Sequence, residues 1–122
     1  MVWEIERHPE CLFVSGAVDR SQDPAWREKL EAYCRETPPD KRVVDMSNVR
    51  FFASTAAKTL ISVAQEVEAD GRRLRVLASL PVLQTLNLLG AKSWVEITSA
   101  PKPNPKPGEK PSNFRARGAQ VE

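Results

Sequence analysis

The chain has 122 residues, 41% of them hydrophobic and 28% charged; this is enough for one compact domain with its own core and too apolar for a wholly disordered chain. The net charge of +2 joins two unlike parts: residues 101–122 carry five cations and two anions, which leaves 13 cations against 14 anions in residues 1–100. The fold-forming part therefore offers no basic field for nucleic acid, and no apolar run approaches the roughly 20 residues of a membrane span.

Residues 2–6 place Trp3 and Ile5 on one parity and read as an edge strand. They form no basic region leading into an apolar core, so a cytoplasmic location is expected. His8-Pro9-Glu10 reads as a turn with His8 solvated. Residues 11–18 are a dense apolar run, expected to be a second strand hairpin-paired with the first. Cys11 and Cys34 stand 23 positions apart with no neighbouring cysteine, which fits reduced, buried thiols and not a metal-ligand pair.

Asp23-Pro24 predicts a helix start, with Asp23 as the cap and Pro24 in the first helical position. Trp26, Leu30, Tyr33 and Cys34 then form one apolar stripe, and Pro38-Pro39 ends the helix. Residues 41–46 read as a buried central strand around Val43-Val44, with Asp45 to Asn48 turning the chain after it. Phe51-Phe52-Ala53 leads into the longest helix, residues 54–70. Leu60, Ile61, Ala64 and Val67 face inward there, Glu66, Glu68 and Asp70 face solvent, and Gly71 is the stop.

Residues 73–78 alternate as a fourth strand. Ser79-Leu80-Pro81 opens a third helix with Val82, Leu86 and Leu89 inward and Gly90 at its end. Its leucines exceed one stripe, so either the helix is deeply buried or Leu83 and a neighbour face a partner. Residues 94–97 are a last strand. The order β-β-α-β-α-β-α-β predicts an α/β fold, a mixed β-sheet with packed helices. Prolines at 101, 103, 105, 107 and 111 alternate with polar residues, so residues 100–122 are expected to be a disordered, solubilising Pro/Lys-rich tail to a domain of residues 1–99.

Five ordered stretches resemble one family. Ser15-Gly16-Ala17-Val18-Asp19 looks like a Gly-Glu-Leu-Asp strand end. Val43-Val44-Asp45-Met46-Ser47 looks like an apolar strand ending in Asp-Leu-Ser. Phe51-Phe52-Ala53-Ser54-Thr55-Ala56-Ala57 stands where the family has an apolar pair followed by Asp-Ser-Ser/Thr-Gly. Gly71-Arg72-Arg73-Leu74 and Leu86-Asn87-Leu88-Leu89-Gly90 look like its Gly-Gly-X-Leu and Leu-X-X-X-Gly motifs. With this spacing the chain resembles a STAS domain, the family of bacterial anti-sigma factor antagonists.

The resemblance implies a STAS-like mixed sheet and a non-enzymatic regulatory protein-binding module. Its partner would be an anti-sigma factor that is also a kinase. The serine phosphorylated in the family maps onto Ser54, with Ala53 standing for the family's aspartate and Ala56 for its glycine. Other STAS-like proteins are the small soluble subunit of ABC phospholipid transporters and support the transporter ATPase, which is the alternative partner.

Ser54 also has a reading of its own. It precedes a helix, where free N–H groups and the positive dipole end favour a phosphate; equally, Ser54 or Thr55 serves simply as the N-cap. The small residues Ala53, Thr55 and Ala56 around Ser54, together with Lys58, are the expected docking surface, with Leu83 on the third helix as a further contact. No nucleophile–base pair, phosphate loop or acidic cluster stands in the sequence, so no catalysis, metal or cofactor is expected.

Overall fold

The computed structural model describes residues 3–68 and 72–100. Strands β1 (Trp3–Arg7) and β2 (Leu12–Val18) form an antiparallel hairpin with Ile5 opposite Val14. Strands β3 (Val43–Phe52), β4 (Leu74–Ala78) and β5 (Val95–Ser99) add in parallel, so the sheet runs in the order β1-β2-β3-β4-β5. Helices α1 (Ala25–Glu36), α2 (Ser54–Val67) and α3 (Leu80–Leu88) make the crossovers. Each crossover advances to the next strand in the same direction, and right-handed connections then lay all three helices on one face of the sheet.

The core lies between that face and the helices. It joins Leu12, Val14, Val44, Met46 and Val76 of the strands to Trp26, Leu30, Tyr33 and Cys34 of α1, Leu60 and Ala64 of α2, and Val82 and Leu86 of α3. The expected α1 stripe is thus buried throughout. In α2, Leu60 and Ala64 are buried, Ile61 and Val67 half-buried. Gly90 ends α3 in the left-handed region at φ 66°, as expected of a glycine after a helix. Both thiols are buried and free. Burial pushes Cys11, helped by the negative charge of Asp45 and Glu10, and Cys34 up to about 11.

Several local expectations are corrected. The turn at Asp45 to Asn48 does not occur; β3 runs on to Phe52. The Asp45 carboxylate does accept bonds from the Ser47 N–H (3.0 Å) and Oγ (2.6 Å), the local pattern that the sequence signals. But β2 continues alongside, so the local bonding yields bulges instead of a turn. The register slips once between Phe13↔Asp45 and Ser15↔Asn48, and again between Gly16↔Val49 and Ala17↔Phe51.

The start of α1 is also different. Pro24 occupies the cap position and Asp23 does not cap α1; its N–H closes a 3-10 turn, Arg20–Gln22, on the Arg20 carbonyl. Asp19 caps that turn instead, its carboxylate accepting from the Ser21 N–H while its own N–H donates to Gln22 Oε1. These bonds hold the Asp19 carboxyl below its ordinary range. Helix α2 ends at Val67, short of the expected 70. Glu66 is exposed but pairs with Arg27 at 2.5 Å. His8 is half-buried, edge-on to Phe13, and not solvated. The expected stop at Gly71 and the expected tail beyond 100 lie outside the described residues.

Candidate functional site

The start of α2 is set by three neighbours. On one side β2 stays paired to the end of β3, and the Ala53 N–H donates to the Val18 carbonyl at 3.0 Å. On the other side β4 stops at Ala78, opposite Met46, and leaves the rest of β3 without a strand. Helix α3 takes that place. Ser79 Oγ donates to the Val49 carbonyl (2.7 Å) and Thr85 Oγ1 to the Phe52 carbonyl (2.9 Å), so two hydroxyls stand in for ladder N–H groups. From above, the buried Trp26 indole N–H donates to the Ala56 carbonyl at 3.0 Å and its ring meets Phe52 edge-on at 6.2 Å.

These contacts sort the expected site residues. Ser54 and Thr55 are exposed in the first turn of α2, and Lys58 is exposed one turn on. Ala53 is half-buried and is itself the N-cap, with no side-chain capping bond. The capping reading of Ser54 and Thr55 is therefore corrected: both are inside the helix, and neither hydroxyl serves its N-terminus. Ala56 is fully buried beneath Trp26 and is withdrawn from the contact surface; its small size serves the packing of α2 on α1. Leu83 is half-buried against the core, whereas Leu80 (61% exposed) and Leu88 (87%) are the open leucines of α3. Asp45 does not join this site. It is buried, and the six residues between it and Phe52 put the two about 23 Å apart along the strand.

Two apolar residues join the site that periodicity did not single out. Phe51 is 46% exposed beside Ser54 in the chain, and Leu80 follows Ser79, whose bond to Val49 holds that end of α3 alongside β3. The signal for the first was present: Phe51 and Phe52 are adjacent in a strand, so only one can face the core. Arg50 and Lys58 make the rim cationic. This end of the sheet thus exposes Arg50 and Phe51 of β3, Ser54, Thr55 and Lys58 of α2, and Leu80 of α3. Among the described residues no cluster of three potential metal ligands exists. An open depression of about 410 Å³ lined by Pro39, Asp40, Arg72, Arg73, Arg75 and Glu96 lies at the opposite end and contains none of these residues.

A mixed five-stranded sheet with three helices on one face and a helix start at the strand ends defines the class: an α/β domain. Comparison carries this further. The STAS domain family matches residues 2–102, and the chain belongs to that family. The crystal structure of an anti-sigma factor antagonist from Mycobacterium paratuberculosis is similar with a TM-score of 0.64 and 25% identity, over 79% of this chain and 83% of that one. The anti-sigma factor antagonist SpoIIAA in its unphosphorylated form shares the fold, with a TM-score of 0.56 and 15% identity over 81% and 88%. Among curated proteins none matches. Among the described residues no helix is long and apolar enough to cross a membrane.

Proposed function

We propose that this STAS domain is a cytoplasmic, non-enzymatic antagonist that binds an anti-sigma factor through the patch around Ser54, and that a kinase activity of this partner switches it off by phosphorylating Ser54. The observation that carries the reading is the exposed Ser54 hydroxyl, inside the first turn of a helix whose cap position, Ala53, offers no side-chain bond. The hydroxyl is therefore uncommitted, and the helix start is anchored by Trp26, Val18 and Thr85. The similarity to a solved antagonist supports the partner class.

The switch follows from electrostatics. A phosphate on Ser54 would sit at the positive end of α2 and be tolerated by the free domain. In a packed interface the same group brings nearly two charges that must lose water. Ala53, where an aspartate would crowd the phosphate with like charge, leaves the modified state the more tolerable.

The test separates folding from binding. Ser54→Asp should leave the thermal midpoint unchanged or slightly raised, and weaken the complex with the host's anti-sigma factor at least tenfold, about 1.4 kcal/mol. Equal affinity for both proteins places the interface elsewhere. A complex with a transporter ATPase, and none with an anti-sigma factor, replaces the partner while leaving the patch.

A further inference from the structure

The end of the sheet opposite Ser54 carries a concave site that the proposed function leaves unused. Strands β3, β4 and β5 run parallel, so their first residues and the chain leading into them meet there. They frame the depression of about 410 Å³ lined by Pro39, Asp40, Arg72, Arg73, Arg75 and Glu96, a size within the ordinary range of small-molecule sites. Five of the six lining residues carry charge, so a ligand that matches it is ionic. Register explains the grouping. Arg75 of β4 lies opposite Glu96 of β5, and the preceding pair, Leu74 and Val95, belongs to the helix-side core. Arg75 and Glu96 therefore point to the face away from the helices.

The arginines are held in place without being neutralised. Arg75 is half-buried, and its Nη2 donates to the Asp40 carbonyl at 2.7 Å. Arg73 Nη1 donates to the Lys92 carbonyl at 3.4 Å, and Arg72 is exposed beside it in the chain. Both bonded guanidinium groups are thus positioned by uncharged backbone acceptors, which leave their charge and their other N–H groups open. Among the described residues no ion pair joins any of the three arginines to a carboxylate. The facing wall is fixed as well. Pro39 and Asp40 stand in a 3-10 turn, Pro39–Lys41, and the next residue ties that turn to the ends of α1 and α2: Arg42 Nε donates to the Thr37 carbonyl (2.9 Å) and Nη1 to the Val67 carbonyl (2.8 Å).

We propose that this depression binds a phosphate monoester of a soluble polyhydroxy compound, the class to which sugar phosphates belong. Three guanidinium groups around one depression match the three terminal oxygens of a monoester, whereas a carboxylate offers two. Asp40 and Glu96 select the rest of the ligand. A carboxylate only accepts hydrogen bonds, so the part of the ligand beside it must donate them, as hydroxyl groups do. Inorganic phosphate brings no such part and meets the same two carboxylates with like charge. The site is independent of the reading of Ser54, which lies beyond the other end of β3.

Amide chemical shifts of the intact chain, titrated with glucose 6-phosphate, ribose 5-phosphate or glycerol 3-phosphate, test this. At least one ester should give saturable shifts at Asp40 and across residues 72–77 and 92–97, with residues 54–58 unmoved, and should bind roughly tenfold or more tightly than inorganic phosphate or glucose. No saturation by any of the three below about 10 mM, or inorganic phosphate binding equally well, overturns the proposal. Binding to vesicles bearing phosphatidylinositol 4-phosphate, with none to the soluble esters, overturns it in favour of a lipid headgroup. Two variants at exposed positions assign the roles, their fold checked by unchanged shifts at residues 54–58. Arg73→Gln should weaken the ester about tenfold. Glu96→Ala should weaken the ester about threefold while inorganic phosphate binds no more weakly than before. Ester affinity equal to wild type in both variants overturns the proposal.

Discussion

Replacing Trp26 with phenylalanine tests how the docking patch is held. The indole is fully buried, donates to the Ala56 carbonyl at 3.0 Å and lies edge-on to Phe52. Losing the hydrogen bond costs about 1 kcal/mol, and no more, because the Ala56 carbonyl keeps its place in the α2 ladder. Losing one ring of a close-packed bicyclic side chain adds about 1–2 kcal/mol, well below the 3–5 kcal/mol of full truncation to alanine. The sum is about 2–3 kcal/mol, roughly a 10 °C fall in thermal midpoint for a domain of this size. Urea unfolding followed by far-UV circular dichroism gives the stability. Hydrogen exchange gives the local effect: the Ala57 amide, bonded to the Ala53 carbonyl at 3.0 Å, should lose protection beyond the global change. A loss under about 0.5 kcal/mol, with Ala57 exchange unchanged, would refute the claim that Trp26 anchors the site.

Other outcomes follow from the same geometry. Ser79→Ala and Thr85→Val each remove a hydroxyl that satisfies a β3 carbonyl, and each should cost about 1–2 kcal/mol, nearly additively because the carbonyls are different; chemical denaturation of the two single variants and the double variant checks this. Gly90→Ala should cost about 1 kcal/mol by calorimetry, all of it from the left-handed backbone, since the new methyl would meet no atom within 4 Å. The thiols give a pH dependence. Both are raised from 9.0 to about 11 in the folded chain, so the native state holds these protons more tightly than the unfolded one, and their contribution is whole below pH 9 and lost as pH rises toward 11. Tyr33, raised by burial, acts in the same direction. Unfolding midpoints measured across that range should fall, and a Cys34→Ala variant should show a shallower fall.

Element order and core face were legible because they rest on periodicity. The α1 stripe of Trp26, Leu30, Tyr33 and Cys34 and the alternation of residues 73–78 have one reading each, and the strand forms over Leu74–Ala78. The misreadings fall where local chemistry has two outcomes. Asp45-X-Ser47 makes the same short-range bonds in a turn and in a bulge, and only the continuation of β2 beside it decides. Ser54 looks like a cap because caps are usually serine or threonine; the chain instead caps α2 with Ala53, since the bond from the Ala53 N–H to Val18 fixes where the helix begins. The exposed Phe51 and Leu80 depend on β4 ending four residues into its pairing with β3, which no pattern within β4 announces.

Hydrogen-exchange footprinting of the unmodified protein with its partner reaches the central claim most directly. Partner contact at the α2 start predicts slowed exchange across residues 50–58 and at Leu80, with the opposite end of α3, around Leu88 and Trp94, unchanged. Protection confined to the Leu88–Trp94 end, with residues 54–58 exchanging as in the free protein, would contradict it.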